Sequence, residues 1–279
     1  MQCLHPGGLH RLAYWEWGAA DQDDVVVCVH GLTRQGRDFD VLARALQPGR
    51  RVVCPDLPGR GESDWLTNPA LYQVPQYLAD LVTLLARLKA HRVSWVGTSL
   101  GGLIGIALAG MAHSPIDRLV LNDVGPSLDP RGLMRIASYV GRQMRFATPE
   151  QAADSLREIS LGFGPHTPEQ WMALTRPMLR PDGDGWRLHY DPALSQPFSA
   201  ATAQAVAAGE IALWQAYDQI AAPTLVVRGA DSDILNAQTA WAMTQRGPRA
   251  RLVELAGVGH APTLVQPDQV GTVRDFLLS

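Results

Sequence analysis

Ser99 stands between Gly97 and Gly101 in VSWVGTSLGG, where an apolar, β-branched run gives way to the helix-forming stretch LGGLIGIALAGMA. In such a strand-to-helix turn, flanking residues without a Cβ let the two elements close on each other and leave the serine oxygen exposed. The N–H groups that open the helix lie beside that oxygen and suit a developing negative charge. The chemistry is acyl transfer, and it needs a base. His260, in RLVELAGVGHAP near the C-terminus, follows a strand pattern and a glycine-rich turn and fits that role. It also needs a carboxylate to fix the histidine tautomer and stabilise the imidazolium. Two aspartates compete for this part. Asp123 ends RLVLND, the strand after the one that carries Ser99, and Asp233 follows PTLVVRG in the loop ADSDIL. Asp123 is the preferred acid and Asp233 the alternative; either would otherwise serve as a turn or helix-cap residue.

A third feature precedes the serine. The apolar run Val25 to Val29 ends at His30 and Gly31, where a loop can bring a backbone N–H into the same cleft. With the loop, the serine and the histidine in this chain order, the sequence resembles the α/β-hydrolase fold family over nearly its whole length. The resemblance implies that Ser99 is the nucleophile and His260 the general base. It also implies that the backbone N–H groups of Leu32 and Leu100 form the oxyanion hole and that His30 braces its loop. Most relatives place the acid three residues beyond the glycine equivalent to Gly229, and that position is Ser232 here. Asp233 would need a loop shifted by one residue; some relatives place the acid where Asp123 stands. PDLPGRGESD, residues 55–64, also resembles a family loop, its prolines and glycines explained as turn formers.

These residues imply a serine hydrolase that cleaves small carboxylic esters through an acyl-enzyme. An enol-lactone or carbon–carbon bond hydrolase with the same triad is the alternative, and a small-ligand receptor on the same fold the second. Serine at the elbow argues against relatives that use aspartate there. Arg34, in HGLTRQG beside the oxyanion loop, is a candidate for a substrate carboxylate, against plain surface solvation. No metal or organic cofactor is implied: no HExxH or cysteine-paired ligand spacing occurs, and GTSLGG lacks the Lys and Ser/Thr ending of a phosphate loop.

The elements that must position these groups alternate along the chain. A short strand pattern from Leu9 to Trp17 is followed by VVVCVHG, a helix around Phe39 to Leu46, and RVVCPDL. Leu78, Leu81, Leu85 and Leu88 recur at helical spacing before the VSWVGTS strand, as a right-handed parallel crossover requires. After IDRLVLND the alternation stops, then resumes with PTLVVRG, a helix around Ala237 to Gln245, RLVELAG and a helix from Asp268 to Leu278. The expected fold is α/β, a doubly wound and mostly parallel eight-stranded sheet with a helical lid inserted after strand six. Residues 1–124 and 213–279 form the core and 125–212 the lid. A lid at the carboxyl edge of the sheet shapes the acyl pocket. Trp171, Trp186 and Trp214, with Met172 and Met178, are its candidate pocket residues, and the alanine-rich stretch 200–210 is a helix.

Composition narrows the partners. A 279-residue chain with 46% hydrophobic residues can fill one large core. Net charge −3 and 18% charged residues give no footprint for nucleic acid. With no signal-like N-terminus and no apolar run of membrane-spanning length, no membrane is expected. Three cysteines, two of them in strand patterns, fit reduced thiols and a cytoplasmic location. The expected partner is a small ester or lactone, bound by a monomer or homodimer.

Overall fold

The computed structural model describes residues 1–279 except 91 and 198–201. Its centre is a seven-stranded sheet built from β3 (Tyr14–Trp17), β4 (Asp24–Val29), β5 (Arg51–Pro55), β6 (Arg92–Thr98), β7 (Ile116–Asn122), β11 (Thr224–Gly229) and β12 (Arg251–Leu255). The spatial order is β12-β11-β7-β6-β4-β5-β3, and only β3, paired with β5, runs antiparallel. The strands are nearly continuous apolar runs because both faces are covered. Along β4, Val25, Val27 and Val29 enter one hydrophobic core while Val26 and Cys28 enter the other. The first core is completed by α2 (Val74–Leu88) and α3 (Leu100–Ala109); the second by α1 (Asp40–Leu46) and the C-terminal helix (Pro267–Leu278).

The eight-stranded expectation is corrected to seven. The N-terminal pattern splits: β1 (Gln2–His5) and β2 (Gly8–Arg11) pair as a separate two-stranded hairpin, and only β3 joins the central sheet. The hairpin turns Cys3 and His10 inward, where they meet Asp80 of α2, so it lies on a helix and not on the sheet edge. The insertion therefore follows the fifth central strand in chain order.

Between β7 and β11 lie α4 (Pro130–Tyr139), α5 (Pro149–Ile159), α6 (Pro168–Thr175) and α7 (Ala203–Asp218). The segment is not purely helical. Its turn-rich PDGDG stretch makes a hairpin of β9 (Leu179–Asp182) and β10 (Gly185–Leu188), joined by β8 (Arg145–Phe146) in a small antiparallel sheet. A boundary at 212/213 would cut α7, one continuous helix packed on α3. The start of the expected alanine-rich helix, residues 200 and 201, lies outside the described residues. Among the described residues no helix is long and apolar enough to cross a membrane.

Candidate active site

Ser99 joins β6 to α3 with φ 52° and ψ −116°. A side chain in this region costs roughly 1–3 kcal/mol, and the surrounding contacts hold it there. A Cβ on Gly97 would lie 2.3 Å from the Gly101 carbonyl oxygen, and one on Gly101 would lie 2.0 Å from that of Val29. Strand and helix can touch only because both positions lack a side chain. The indole of Trp95, buried under the turn, donates to the Gly101 carbonyl at 3.0 Å and fixes the helix start.

Three strand ends converge on this serine. Its Oγ lies 2.9 Å from Nε2 of His260, whose Nδ1 lies 2.7 Å from Oδ2 of Asp123. Asp123, fully buried after β7, also accepts the Gly229 N–H at 2.8 Å and the Ser232 hydroxyl at 2.6 Å. Ser232 in turn accepts the N–H groups of Ile234 and Leu235. Asp233 points elsewhere and forms a two-pronged ion pair with Arg135 at 2.5 and 2.8 Å, which holds its carboxyl below the usual range. Next to Asp123, the Asn122 amide donates to Thr98 at 2.9 Å and to the Pro262 carbonyl at 2.8 Å, tying the histidine loop to the strand ends.

The loop after β4 is braced from below. His30 is buried, and burial beside Arg60 pushes its pKa down to about 3, so the ring is neutral. It donates from Nδ1 to the Gly31 carbonyl at 2.7 Å and accepts the Leu57 N–H on Nε2 at 3.0 Å. Arg60, also fully buried, donates to the Leu32 carbonyl at 2.7 Å, to Pro58 and to the Tyr77 hydroxyl. The 55–64 loop thus does more than turn the chain: its arginine fixes the peptide next to the Leu32 amide. Leu100 opens α3, where helix N–H groups have no intrahelical partner.

Ser99, His260, Leu32 and Arg34 line a cavity of about 100 Å³ whose roof comes from the 125–212 segment through Tyr139, Leu156 and Met178, among others. Arg34 is not solvated at the surface. Its side chain is 13% exposed, bonded twice to Asp38 at 2.6 and 2.7 Å, with its remaining donors on the Leu174 carbonyl and the Met178 sulfur. The tryptophan expectation is corrected: among the described residues lining this cavity, Trp171, Trp186 and Trp214 are absent. Trp171 stacks on Phe163, and Trp186 stands in the small sheet opposite Phe146. Trp214 donates to Ser127 and lies under Arg246. Their size is used for packing, while the cavity takes Met178 and several aliphatic residues. Arg135 and Tyr139, one turn apart on α4, also face the cavity. Only their i, i+4 spacing in the sequence hinted at a shared face.

Away from the cavity, Cys3, His10 and Asp80 bring ligand-type atoms within 4.8 Å of one another. His10 pairs with Asp80 at 3.0 Å, and Gln76 donates to the other Asp80 oxygen, so the group fastens the hairpin to α2.

A family model described as alpha/beta hydrolase fold matches residues 24–267. The chain belongs to the α/β-hydrolase fold family. A 3-hydroxybutyrate-oligomer hydrolase from Cupriavidus necator is 52% identical to this hydrolase over 280 residues, covering 99% of this chain and 96% of its own. Esterase YbfF from Escherichia coli is 26% identical over 255 residues, covering 90% and 92%. The crystal structure of an alpha/beta hydrolase from Novosphingobium aromaticivorans superposes with a TM-score of 0.88 at 38% identity, over 100% of this chain and 97% of that one. This hydrolase is an ester-cleaving enzyme of that family.

Proposed function

We propose that this hydrolase cleaves short esters of hydroxy acids, 3-hydroxybutyrate oligomers in particular, by a Ser99–His260–Asp123 triad. The observation that carries the reading is the unbroken chain of hydrogen bonds from Ser99 through His260 to Asp123, at 2.9 and 2.7 Å. His260 takes the Ser99 proton on Nε2 as the serine oxygen attacks the ester carbonyl. The oxyanion is received by the Leu32 and Leu100 amides, and the imidazolium is stabilised by Asp123. Collapse expels the alcohol, which takes the proton from His260. Water, deprotonated by the same ring, then releases the acid and restores the serine.

The substrate class is supported by the likeness to the Cupriavidus necator enzyme over nearly both chains. A cavity of about 100 Å³ suits one short acyl or alcohol unit. The 125–212 segment acts as the lid that closes it. Three buried free thiols are consistent with a reducing compartment, the cytoplasm.

The test is hydrolysis of the 3-hydroxybutyrate dimer and trimer, followed by acid release, beside p-nitrophenyl esters from acetate to decanoate. Dimer turnover with kcat/KM of about 10⁴ M⁻¹s⁻¹ or more is expected. Rapid cleavage of p-nitrophenyl butyrate with an untouched dimer would refute the substrate class and leave the esterase.

A further inference from the structure

We infer that Arg34, Arg135 and the Tyr139 hydroxyl together form a receptor for a free carboxylate on the substrate, a few bonds from the ester being cut. The inference deepens the oligomer-hydrolase reading and rests on it for the identity of the substrate. All three residues line the cavity that holds Ser99 and His260. Arg34 comes from the core, on the oxyanion loop, while Arg135 and Tyr139 come from α4 of the inserted segment. A carboxylate between them would join the two walls of the cavity.

Gly31 stands between Arg34 and the nucleophile. A Cβ placed on Gly31 would be 3.5 Å from Ser99 Cβ and 3.9 Å from Arg34 Cγ. Burial pushes the Tyr139 phenol up, and the nearby guanidiniums of Arg135 and Arg34 oppose it, so both cations stand near its hydroxyl.

The guanidiniums are oriented before any ligand arrives. Asp38 takes Nε and Nη2 of Arg34, and Asp233 takes the same two atoms of Arg135. Each pair neutralises its charge and fixes the plane of the fork, which lowers the ordering cost of binding. The side chain of Arg135 also donates to the Tyr139 hydroxyl, and Nη1 of Arg34 meets the Met178 sulfur, at 2.7 Å. A thioether is a weak acceptor, so a carboxylate oxygen would displace it and gain a charge-assisted bond. The Tyr139 hydroxyl adds a neutral donor.

The chemistry selects its ligand. In a 3-hydroxybutyrate dimer, two carbons separate the ester oxygen from the free carboxylate, a span that fits a small cavity with the nucleophile and the cations on neighbouring walls. A methyl-capped end would leave these donors without an anion. The enzyme would then cut from the carboxylate end of short oligomers and disfavour interior bonds.

Two matched substrate pairs test this: the 3-hydroxybutyrate dimer with its methyl ester, and 3-acetoxypropanoate with its uncharged isostere isopentyl acetate. The readout is the acid-to-neutral ratio of kcat/KM in wild type, Arg135→Gln, Arg135→Lys and Tyr139→Phe, with circular dichroism of each variant. Arg135→Gln should lower the ratio about 10- to 100-fold, chiefly through KM, as expected for a lost charged hydrogen bond. Tyr139→Phe should lower it severalfold, and Arg135→Lys, which keeps the charge but loses the fork, should fall between wild type and Arg135→Gln. A ratio within twofold of wild type in Arg135→Gln, or a wild type that prefers the neutral partner, overturns the receptor. Should Arg135→Gln fail to fold, the Tyr139→Phe ratio decides by the same twofold criterion. If wild type cleaves neither hydroxybutyrate ester, the oligomer reading fails, and the acetoxypropanoate-to-isopentyl acetate ratio still judges the receptor alone.

Discussion

Exchanging the residues at 123 and 232 tests how the site is wired. Asp123 Oδ2 lies 2.7 Å from His260 Nδ1 and 2.6 Å from Ser232 Oγ, so a carboxylate can reach the ring from either strand end. Asp123→Ser removes the countercharge of the imidazolium. At the 2.7 Å separation and an effective dielectric of about 20, that charge pair is worth about 6 kcal/mol. At about 1.4 kcal/mol per tenfold in rate, kcat/KM should fall roughly 10⁴-fold. Ser232→Asp alone sets two carboxylates side by side, which raises one pKa and weakens activity. The double exchange, Asp123→Ser with Ser232→Asp, restores one carboxylate and one hydroxyl in reversed places. It should recover at least tenfold over Asp123→Ser, a coupling that a double-mutant cycle on p-nitrophenyl butyrate reads directly. Asp123→Ser activity within tenfold of wild type would refute the assignment of the acid. Properly folded double variants with no recovery would refute the claim that Ser232 occupies an equivalent position.

Two further outcomes follow from the same contacts. Asp233→Asn should cost less than about tenfold on p-nitrophenyl butyrate, because Asp233 pairs with Arg135 and not with His260; a hundredfold loss in steady-state assays would contradict this. His30, with its pKa lowered from 6.5 to about 3, stays neutral in the fold while the unfolded chain takes up a proton. Its contribution to stability is full above about pH 6.5 and is lost progressively as pH falls toward 3. The gap in melting temperature between wild type and His30→Gln should therefore narrow from pH 7.5 to pH 4.5. A constant or widening gap in calorimetry would rule out a neutral buried ring.

The elbow, the histidine and the parallel sheet could be read from sequence because local pattern dictates them. Gly97 and Gly101 are forced by backbone contact at a strand-to-helix turn, and the alternation of Val25 to Val29 is forced by two covered faces. The choice of acid was not local. β7 and β11 are parallel neighbours, with Asn122 opposite Val227, so their loops end at the same edge and both aspartates qualify by position. What separates them is Arg135, nearly a hundred residues from Asp233 in the chain, and no spacing rule announces that pair. The tryptophans misled because burial of a large ring says nothing about which side of it faces a cavity. The extra strand arose because the β1–β2 hairpin has strand chemistry but packs on α2.

The central claim is that Ser99 attacks the ester. Its most direct test is turnover of the 3-hydroxybutyrate dimer and p-nitrophenyl butyrate by Ser99→Ala, with the purified variant shown to be folded. A loss of about 10⁵- to 10⁶-fold on every ester that wild type cleaves is the expected result. Retention of more than about a hundredth of wild-type activity on either substrate would contradict it and place the nucleophile elsewhere.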